Sequence, residues 1–149
     1  DMGPMLAGLS PLLPDGVVTS FVSQGSTSDV TLKDGAIKGG GTPTSVGQRD
    51  KLDAPVAVLT SQTTASSGEQ ALLAFRGLDR TRVFGQATAG YASVNQSFPL
   101  YTGRTMVLTT GTSQARTGEQ FGEEPIAPDV ETPPEQAPAA AAEWLDSQS

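Results

Sequence analysis

Hydrophobic and polar positions form blocks along the chain, and the blocks predict alternating helices and strands. Apolar residues in the segment 2–13 recur at a helical spacing that Pro4 and Pro11 interrupt. The segments 17–22 and 29–32 are β-rich runs separated by glycine and hydroxyl residues. We therefore expect an interrupted helix followed by an antiparallel pair of strands.

The middle of the chain has the pattern of a strand followed by a helix. Residues 37–50 are rich in Gly, Ser and Thr and have little to bury, so we expect a loop that is a candidate flexible lid. Residues 55–59 are almost wholly apolar, which is typical of a strand buried on both faces. Residues 67–78 then carry one apolar stripe at helical spacing. The next strand begins at residues 83–85.

The last part of the chain predicts a hairpin and a terminal helix. Residues 86–93 form a loop of small residues that allows close backbone approach. Residues 98–101 and 105–109 read as an antiparallel pair around a Thr-Gly turn. The tail, residues 133–149, is Ala/Pro-rich, and we expect Trp144 to anchor a final helix within it.

Composition limits the chemistry. The chain has 149 residues, is 36% hydrophobic and 17% charged, and carries a net charge of −7, so it suits one acidic globular domain. Nine Lys and Arg residues disfavour nucleic acid as a partner, and no apolar run is long enough to span a membrane. With no Cys and no His, the chain lacks a thiolate nucleophile, the usual general base and the commonest metal ligand. We expect no metal and no cofactor.

The crossover from strand to helix, residues 60–69, is packed with hydroxyls and has two interpretations. Ser66 and Glu69 have the spacing of a capping box, which needs no function and is common at helix starts. Alternatively, a serine at this point has its oxygen beside free N–H groups and the positive end of the helix dipole, which suits an oxyanion during acyl transfer. The pattern alone favours the cap, and an acidic α/β structural protein remains open.

Five segments, taken in order, carry a family resemblance. They are Pro-Val-Ala-Val-Leu (55–59), Thr-Ala-Ser-Ser-Gly-Glu (64–69), Arg-Val-Phe-Gly (82–85), Ala-Thr-Ala-Gly (87–90) and Pro-Ile-Ala-Pro-Asp (125–129). The series resembles the C-terminal-processing, or tail-specific, serine peptidase family and its tricorn-like branch. The resemblance implies an α/β fold, a ClpP/crotonase-like spiral of ββα units that is incomplete at the N-terminus. Residues 1–132 would then be the C-terminal portion of a catalytic domain, with 133–149 a tail helix.

The resemblance also implies roles for individual residues. Ser66 matches the family nucleophile, Ser67 supplies an oxyanion-hole N–H, and Glu69 matches a glutamate that we interpret as a structural cap. In the processing-protease branch a lysine acts as base where this chain has Tyr91. Because tyrosine has a pKa near 10, we expect Tyr91, with its neighbour Gly90, to bind substrate as a wall of the cleft.

The general base is missing from this chain. The tricorn-like branch uses a histidine upstream of the nucleophile and an acidic residue downstream, so the resemblance implies a base supplied from sequence before Asp1. Among Glu119, Glu123 and Glu124 we favour Glu124 as the acidic partner, with a plain solvated acidic loop as the alternative. Asp129 matches a structural Pro-Asp of the family.

These observations support a serine-type peptidase, or the catalytic part of one, that hydrolyses peptide bonds through a Ser66 acyl-enzyme. A polypeptide is the expected substrate. The alternative is a degenerate, non-catalytic family member that binds peptides or apolar ligands in the same cleft. The resemblance favours an extracytoplasmic or secreted location, and the oligomeric state stays open.

Overall fold

The chain folds into two β-sheets with helices packed against them, as the computed structural model shows for residues 1–148. In chain order the elements are α1 (Met2–Gly8), a 3₁₀ helix (Ser10–Leu12), β1 (Gly16–Ser23), β2 (Ser26–Lys33), β3 (Ala36–Lys38), β4 (Thr44–Ser45), β5 (Val56–Thr60), α2 (Ser67–Phe75), β6 (Thr81–Gly85), β7 (Val94–Pro99), β8 (Thr105–Ala115), β9 (Gln120–Phe121), β10 (Val130–Glu131) and α3 (Ala137–Asp146). The predicted α/β class is confirmed.

The larger sheet is antiparallel and has the order β4-β3-β2-β1-β8-β7, with β9 beside β8. The predicted hairpin in the first third of the chain is present as β1 and β2. Val18, Val30 and Leu32 bury the inner face of this hairpin. The prediction of a loop over residues 37–50 was partly wrong, because Ile37 pairs with Leu32 and is buried, which makes the start of that segment a strand.

The smaller sheet is parallel and has the order β10-β6-β5. Helix α2 connects β5 to β6, as parallel strands require. The prediction that residues 55–59 are buried on both faces was wrong: Val56, Ala57 and Val58 are half-buried, and Leu59 is 50% exposed. The reason is that β5 lies at the edge of the sheet, with β6 as its strand neighbour.

Helix α2 joins two hydrophobic clusters that the described residues form. Its Ala74 and Phe75 pack in the cluster that contains α1 and the β1–β2 hairpin, whereas Leu72 and Leu73 pack with Ile126 and the loop before β7. The helix ends at Phe75, three residues earlier than predicted, because Arg76 adopts extended backbone angles (φ −62°, ψ 128°). This position at the interface fixes the start of α2 between the two sheets.

The end of the chain packs against the parallel sheet. Helix α3 places the ring of Trp144 5.8 Å from that of Phe84 on β6.

Beyond α2, Arg76 forms hydrogen bonds of 2.8 and 2.9 Å with Glu119 in the turn before β9. Among the described helices, none is both long and apolar enough to cross a bilayer.

Candidate active site

The hydroxyls that precede α2 build the turn that leads to it. The Ser61 N–H donates to Thr64 Oγ1 at 3.0 Å, and the Thr64 N–H donates back to the Ser61 carbonyl at 2.9 Å. The hydroxyls of Ser61 and Thr63 bond to each other at 2.8 Å. These local bonds explain why the crossover is rich in Ser and Thr. They also leave Ser66 outside the turn itself.

Ser66 has an unusual backbone conformation and an exposed side chain. It is the residue before α2 and adopts φ 51° and ψ −113°, a region that residues with a Cβ rarely occupy. Its own N–H donates to Glu69 Oε2 at 2.8 Å. Its hydroxyl faces the Glu69 N–H in the capping-box arrangement but makes no full capping hydrogen bond. The Ser66 oxygen is therefore available to other partners.

The first turn of α2 offers donors beside that oxygen. Ser67 is the first helical residue, and an α-helix has no internal acceptor for the N–H at that position. The positive end of the helix dipole lies at the same place. The Ser67 N–H is thus suited to stabilise negative charge that develops next to Ser66.

A buried carboxylate fastens the Ser66 segment to a second loop. Glu69 has no exposed surface, and its Oε2 accepts from the N–H groups of Ser66 and Tyr91 at 2.8 and 2.9 Å. Its Oε1 accepts from the Thr88 hydroxyl at 2.5 Å and the Gly90 N–H at 2.9 Å. Four donors converge on two oxygens, so Glu69 does more than cap a helix: it holds the loop 88–91 against the Ser66 segment.

Gly90 supports the site from behind. It is buried, has φ +81°, and a Cβ at this position would lie 2.7 Å from the Glu123 carbonyl oxygen. Thr88, two residues earlier, forms a backbone and a side-chain hydrogen bond with Ile126, at 3.1 and 2.9 Å. The loop 88–91 is thereby pressed against the segment 123–126. Gly90, which we expected to bind substrate, does not line the groove onto which Ser66 opens.

Ser66 opens onto a groove of ≈ 720 Å³ between the start of α2 and the larger sheet, which we name the Ser66 groove. Ser66, Ser67 and Gln70 form one side, and Tyr91, which is 65% exposed, continues it. The other side comes from the larger sheet, from Asp1 and Met2 at the start of α1, and from the loop of three glycines at residues 39–41. Tyr91, which we expected as a wall of the cleft, lines this groove, and so does the glycine loop, which belongs to the segment predicted as a candidate flexible lid.

The floor near Ser66 is held by a buried polar chain. Gln70, 6% exposed, donates from Nε2 to the Ser113 hydroxyl at 2.7 Å, and that hydroxyl donates to the Ala92 carbonyl at 2.6 Å. These bonds connect α2 to β8 and to the loop before β7. Gln70 was not predicted as a site residue, because its spacing from Ser66, one helical turn, is also that of an ordinary surface position.

The acidic candidates lie away from the Ser66 groove. Glu124 is exposed on the segment behind Gly90 and is not part of the groove lining. The Arg76 guanidinium, followed by the Thr117 hydroxyl, lowers the pKa of Glu119 to about 2 through hydrogen bonds. Asp129 accepts from the Val83 N–H at 2.7 Å and thereby fastens the chain to β6. Within residues 1–148, neither lysine nor arginine lines the groove.

Comparison with known proteins identifies the family. Residues 2–132 match the model of peptidase family S41. The chain belongs to this family. This S41 chain is 41% identical over 150 residues to the nisin-resistance protein of Lactococcus lactis subsp. lactis, covering 99% of the chain and 46% of that relative. The family that the motifs indicated is thereby confirmed, and its tricorn-like branch stays a prediction.

Solved structures agree with this assignment. A lipoprotein from Streptococcus agalactiae superposes with a TM-score of 0.78 and 31% identity, over 100% of this chain and 51% of that one. The photosystem II D1 C-terminal processing protease superposes with a TM-score of 0.66 and 22% identity, over 89% of this chain and 31% of that one, and shows the shared fold. The S41 chain spans about half the length of the first two relatives, 46% and 51%.

Proposed function

We propose that this S41 chain carries the nucleophile of a serine peptidase, with Ser66 as the residue that forms the acyl-enzyme. The observation that carries the proposal is the exposed Ser66 hydroxyl, held at a positive φ at the start of α2 and open to the Ser66 groove. A peptide in the groove would present its carbonyl carbon to the Ser66 oxygen. The Ser67 N–H would receive the developing oxyanion.

The bond changes follow the ordinary course of acyl transfer. Ser66 Oγ bonds to the carbonyl carbon while its proton passes to a general base, and the carbonyl oxygen becomes an oxyanion. When this intermediate collapses, the C–N bond breaks and the base returns the proton to the leaving amine. Water then hydrolyses the Ser66 ester by the same sequence of steps.

The general base in this proposal comes from polypeptide outside the 149 residues. In support, the chain contains no histidine, and no lysine or arginine in residues 1–148 lines the Ser66 groove. We retain Glu124 as the candidate acidic partner of that base. The segment that contains Glu124 packs directly behind Gly90, and Glu69 connects Gly90 to Ser66. A base that reached the Ser66 groove beside the loop 88–91 would therefore lie near Glu124.

The missing base also supports a second candidate, a non-catalytic protein that binds polypeptide in the same groove. A fluorophosphonate probe with intact-mass detection separates the two functions. It is applied to the 149-residue chain and to a longer natural form that contains it. A peptidase predicts an adduct on the longer form that Ser66→Ala abolishes. Ser67→Ala is the matched control, because it keeps the backbone N–H and should keep the adduct.

The outcomes assign the function unambiguously. If the longer form shows no adduct but still binds peptide, the peptidase proposal fails and the binding function stands. The relative from Lactococcus lactis is named for nisin resistance. Nisin is therefore the first polypeptide to test for cleavage by the labelled form, with an unrelated linear peptide as the comparison.

A further inference from the structure

Gln70 contributes a buried polar side chain to the lining of the Ser66 groove. It lies one helical turn after Ser66, and the small part of the residue that stays exposed, 6%, lines the groove. Within residues 1–148, five residues carry a buried side-chain polar atom that has no hydrogen-bond partner. Of these five, only Gln70 lines the Ser66 groove, and its unpartnered atom is Oε1.

The neighbouring hydrogen bonds fix which end of the Gln70 amide is free. Ser113 Oγ donates its single proton to the Ala92 carbonyl at 2.6 Å. In its 2.7 Å contact with Gln70 the same oxygen must therefore accept, so the amide end that faces it is Nε2. Turning the amide over would set Oε1 against a hydroxyl whose proton is already engaged. Oε1 is thus the free end, and it is an acceptor.

A buried acceptor without a donor needs an explanation. Folded proteins pair the great majority of their buried polar atoms, because an unpaired atom loses its interaction with water and gains nothing in return. A ligand that brings a donor removes this cost. A polypeptide has a main-chain N–H at every residue except proline. A polypeptide in the Ser66 groove therefore carries the kind of donor that Gln70 Oε1 lacks.

We propose that Gln70 Oε1 accepts a main-chain N–H of the polypeptide bound in the Ser66 groove. The inference rests on the proposed function, since it requires a polypeptide in that groove, and it holds for the peptidase and the binding protein alike. Residues one helical turn apart have Cβ atoms about 5–6 Å apart, and an extended chain rises about 3.3 Å per residue. The N–H that Gln70 accepts therefore lies about two residues along the polypeptide from the carbonyl at Ser66. Proline, which has no N–H, should be rejected there.

A library of linear heptapeptides is the probe. It is applied to the Ser66→Ala variant of the longer natural form, in which affinity is measured without acyl transfer. The heptapeptide that binds most tightly is then resynthesised with one main-chain N–H at a time replaced by an ester oxygen. One of these replacements should weaken binding about fivefold to tenfold, as the loss of one hydrogen bond between neutral groups does.

Variants of Gln70, made in the same Ser66→Ala background, show whether that N–H meets Oε1. Gln70→Met keeps the length of the side chain but has no acceptor oxygen, so the sensitive ester replacement should change affinity by less than about twofold. Ser113→Ala is the matched control, because it removes the buried partner of Gln70 but leaves Oε1 in place, and it should keep the selective loss.

A second variant decides the question if Gln70→Met does not fold. Gln70→Glu keeps an acceptor and gives it a charge, and hydrogen bonds to charged acceptors are stronger. The sensitive ester replacement should then weaken binding more than it does with Gln70. An unchanged loss in Gln70→Glu would contradict the proposal.

Three results would overturn the proposal, and they separate it from the proposed function. In the first, every ester replacement costs as much in Gln70→Met as with Gln70. In the second, Ser113→Ala removes the selective loss as fully as Gln70→Met does, so that Gln70 acts through the floor of the groove and not on the polypeptide. Both leave the labelling result for Ser66 standing. In the third, no heptapeptide binds, which would remove the polypeptide ligand that both proposed functions require.

Discussion

Replacing Glu69 by Gln tests whether the buried carboxylate is the fastening point of the site. The side chain keeps its size, but one oxygen becomes an NH₂ group. Each oxygen of Glu69 now accepts from two donors: Ser66 and Tyr91 at one, Thr88 and Gly90 at the other. Whichever way the amide is turned, two donors therefore meet another donor.

The magnitude follows from those two lost pairs. A hydrogen bond to a charged group contributes about 1.5–3 kcal/mol, so the loss of two lowers the free energy of unfolding by about 3–6 kcal/mol. Domains of this size are stable by only about 5–15 kcal/mol. We therefore expect the urea midpoint of Glu69→Gln to fall steeply, since Glu69 has no exposed surface through which water could replace the bonds.

Equilibrium urea unfolding, followed by Trp144 fluorescence, measures this loss. The matched control is Glu123→Gln, because Glu123 is an exposed carboxylate in the adjoining segment and its substitution should change stability by less than about 0.5 kcal/mol. A loss below about 1 kcal/mol for Glu69→Gln would refute the reasoning, because it would mean that the converging hydrogen bonds carry little net energy.

Three further substitutions test the site and its surroundings. Ser66→Gly should be more stable than Ser66→Ala by about 1 kcal/mol and unfold at a higher temperature in calorimetry, because glycine relieves the strain of φ +51°. The reverse order of unfolding temperatures would show that the backbone at this position is unstrained. In urea unfolding, Gly90→Ala should lower the stability by about 2 kcal/mol more than Gly103→Ala does. Both glycines have a positive φ, but of the two only Gly90 has no room for a Cβ, which would collide with the Glu123 carbonyl oxygen. Glu119→Gln should cost less than about 1 kcal/mol at neutral pH, as a half-exposed ion pair with Arg76 does. The pKa of Glu119 in the folded protein is about 2 against an ordinary 4.5, so the stability difference between the wild type and Glu119→Gln is present above pH 4.5 and should narrow as the pH falls toward 2. A constant stability difference in acid titrations would contradict the ion pair.

Much of the fold was predictable because its signals are local. The β-rich runs that became β1 and β2 are separated by a glycine turn, and the stripe that became α2 has a single buried face. The position of Ser66 just before α2 was predictable from its place between an apolar strand and a helical stripe. These features depend on neighbours in sequence, so one sequence carries them.

The parts that were missed depend on contacts between distant segments. The glycine loop at residues 39–41 reads as unpatterned, and only the packing of the larger sheet brings it opposite Ser66. In the same way, the exposure of β5 depends on which strands lie beside it, and its apolar composition predicts burial whether or not a neighbour is present. Sequence periodicity reports the preference of a strand and not the occupancy of its edge.

The two interpretations of the strand-to-helix crossover are compatible, and the reason lies in which atoms Glu69 engages. A complete capping box would occupy the Ser66 oxygen with the Glu69 N–H. Here both halves of the box are arranged, with the Ser66 N–H donating to the carboxylate at 2.8 Å and the hydroxyl facing the Glu69 N–H, but the second contact is not a full hydrogen bond. The energy that fixes the Ser66 segment thus comes from the carboxylate, through the loop 88–91, and the side-chain oxygen is not needed for it. A serine held by its backbone in this way can expose its oxygen without loosening the start of the helix, and a nucleophile requires both conditions together.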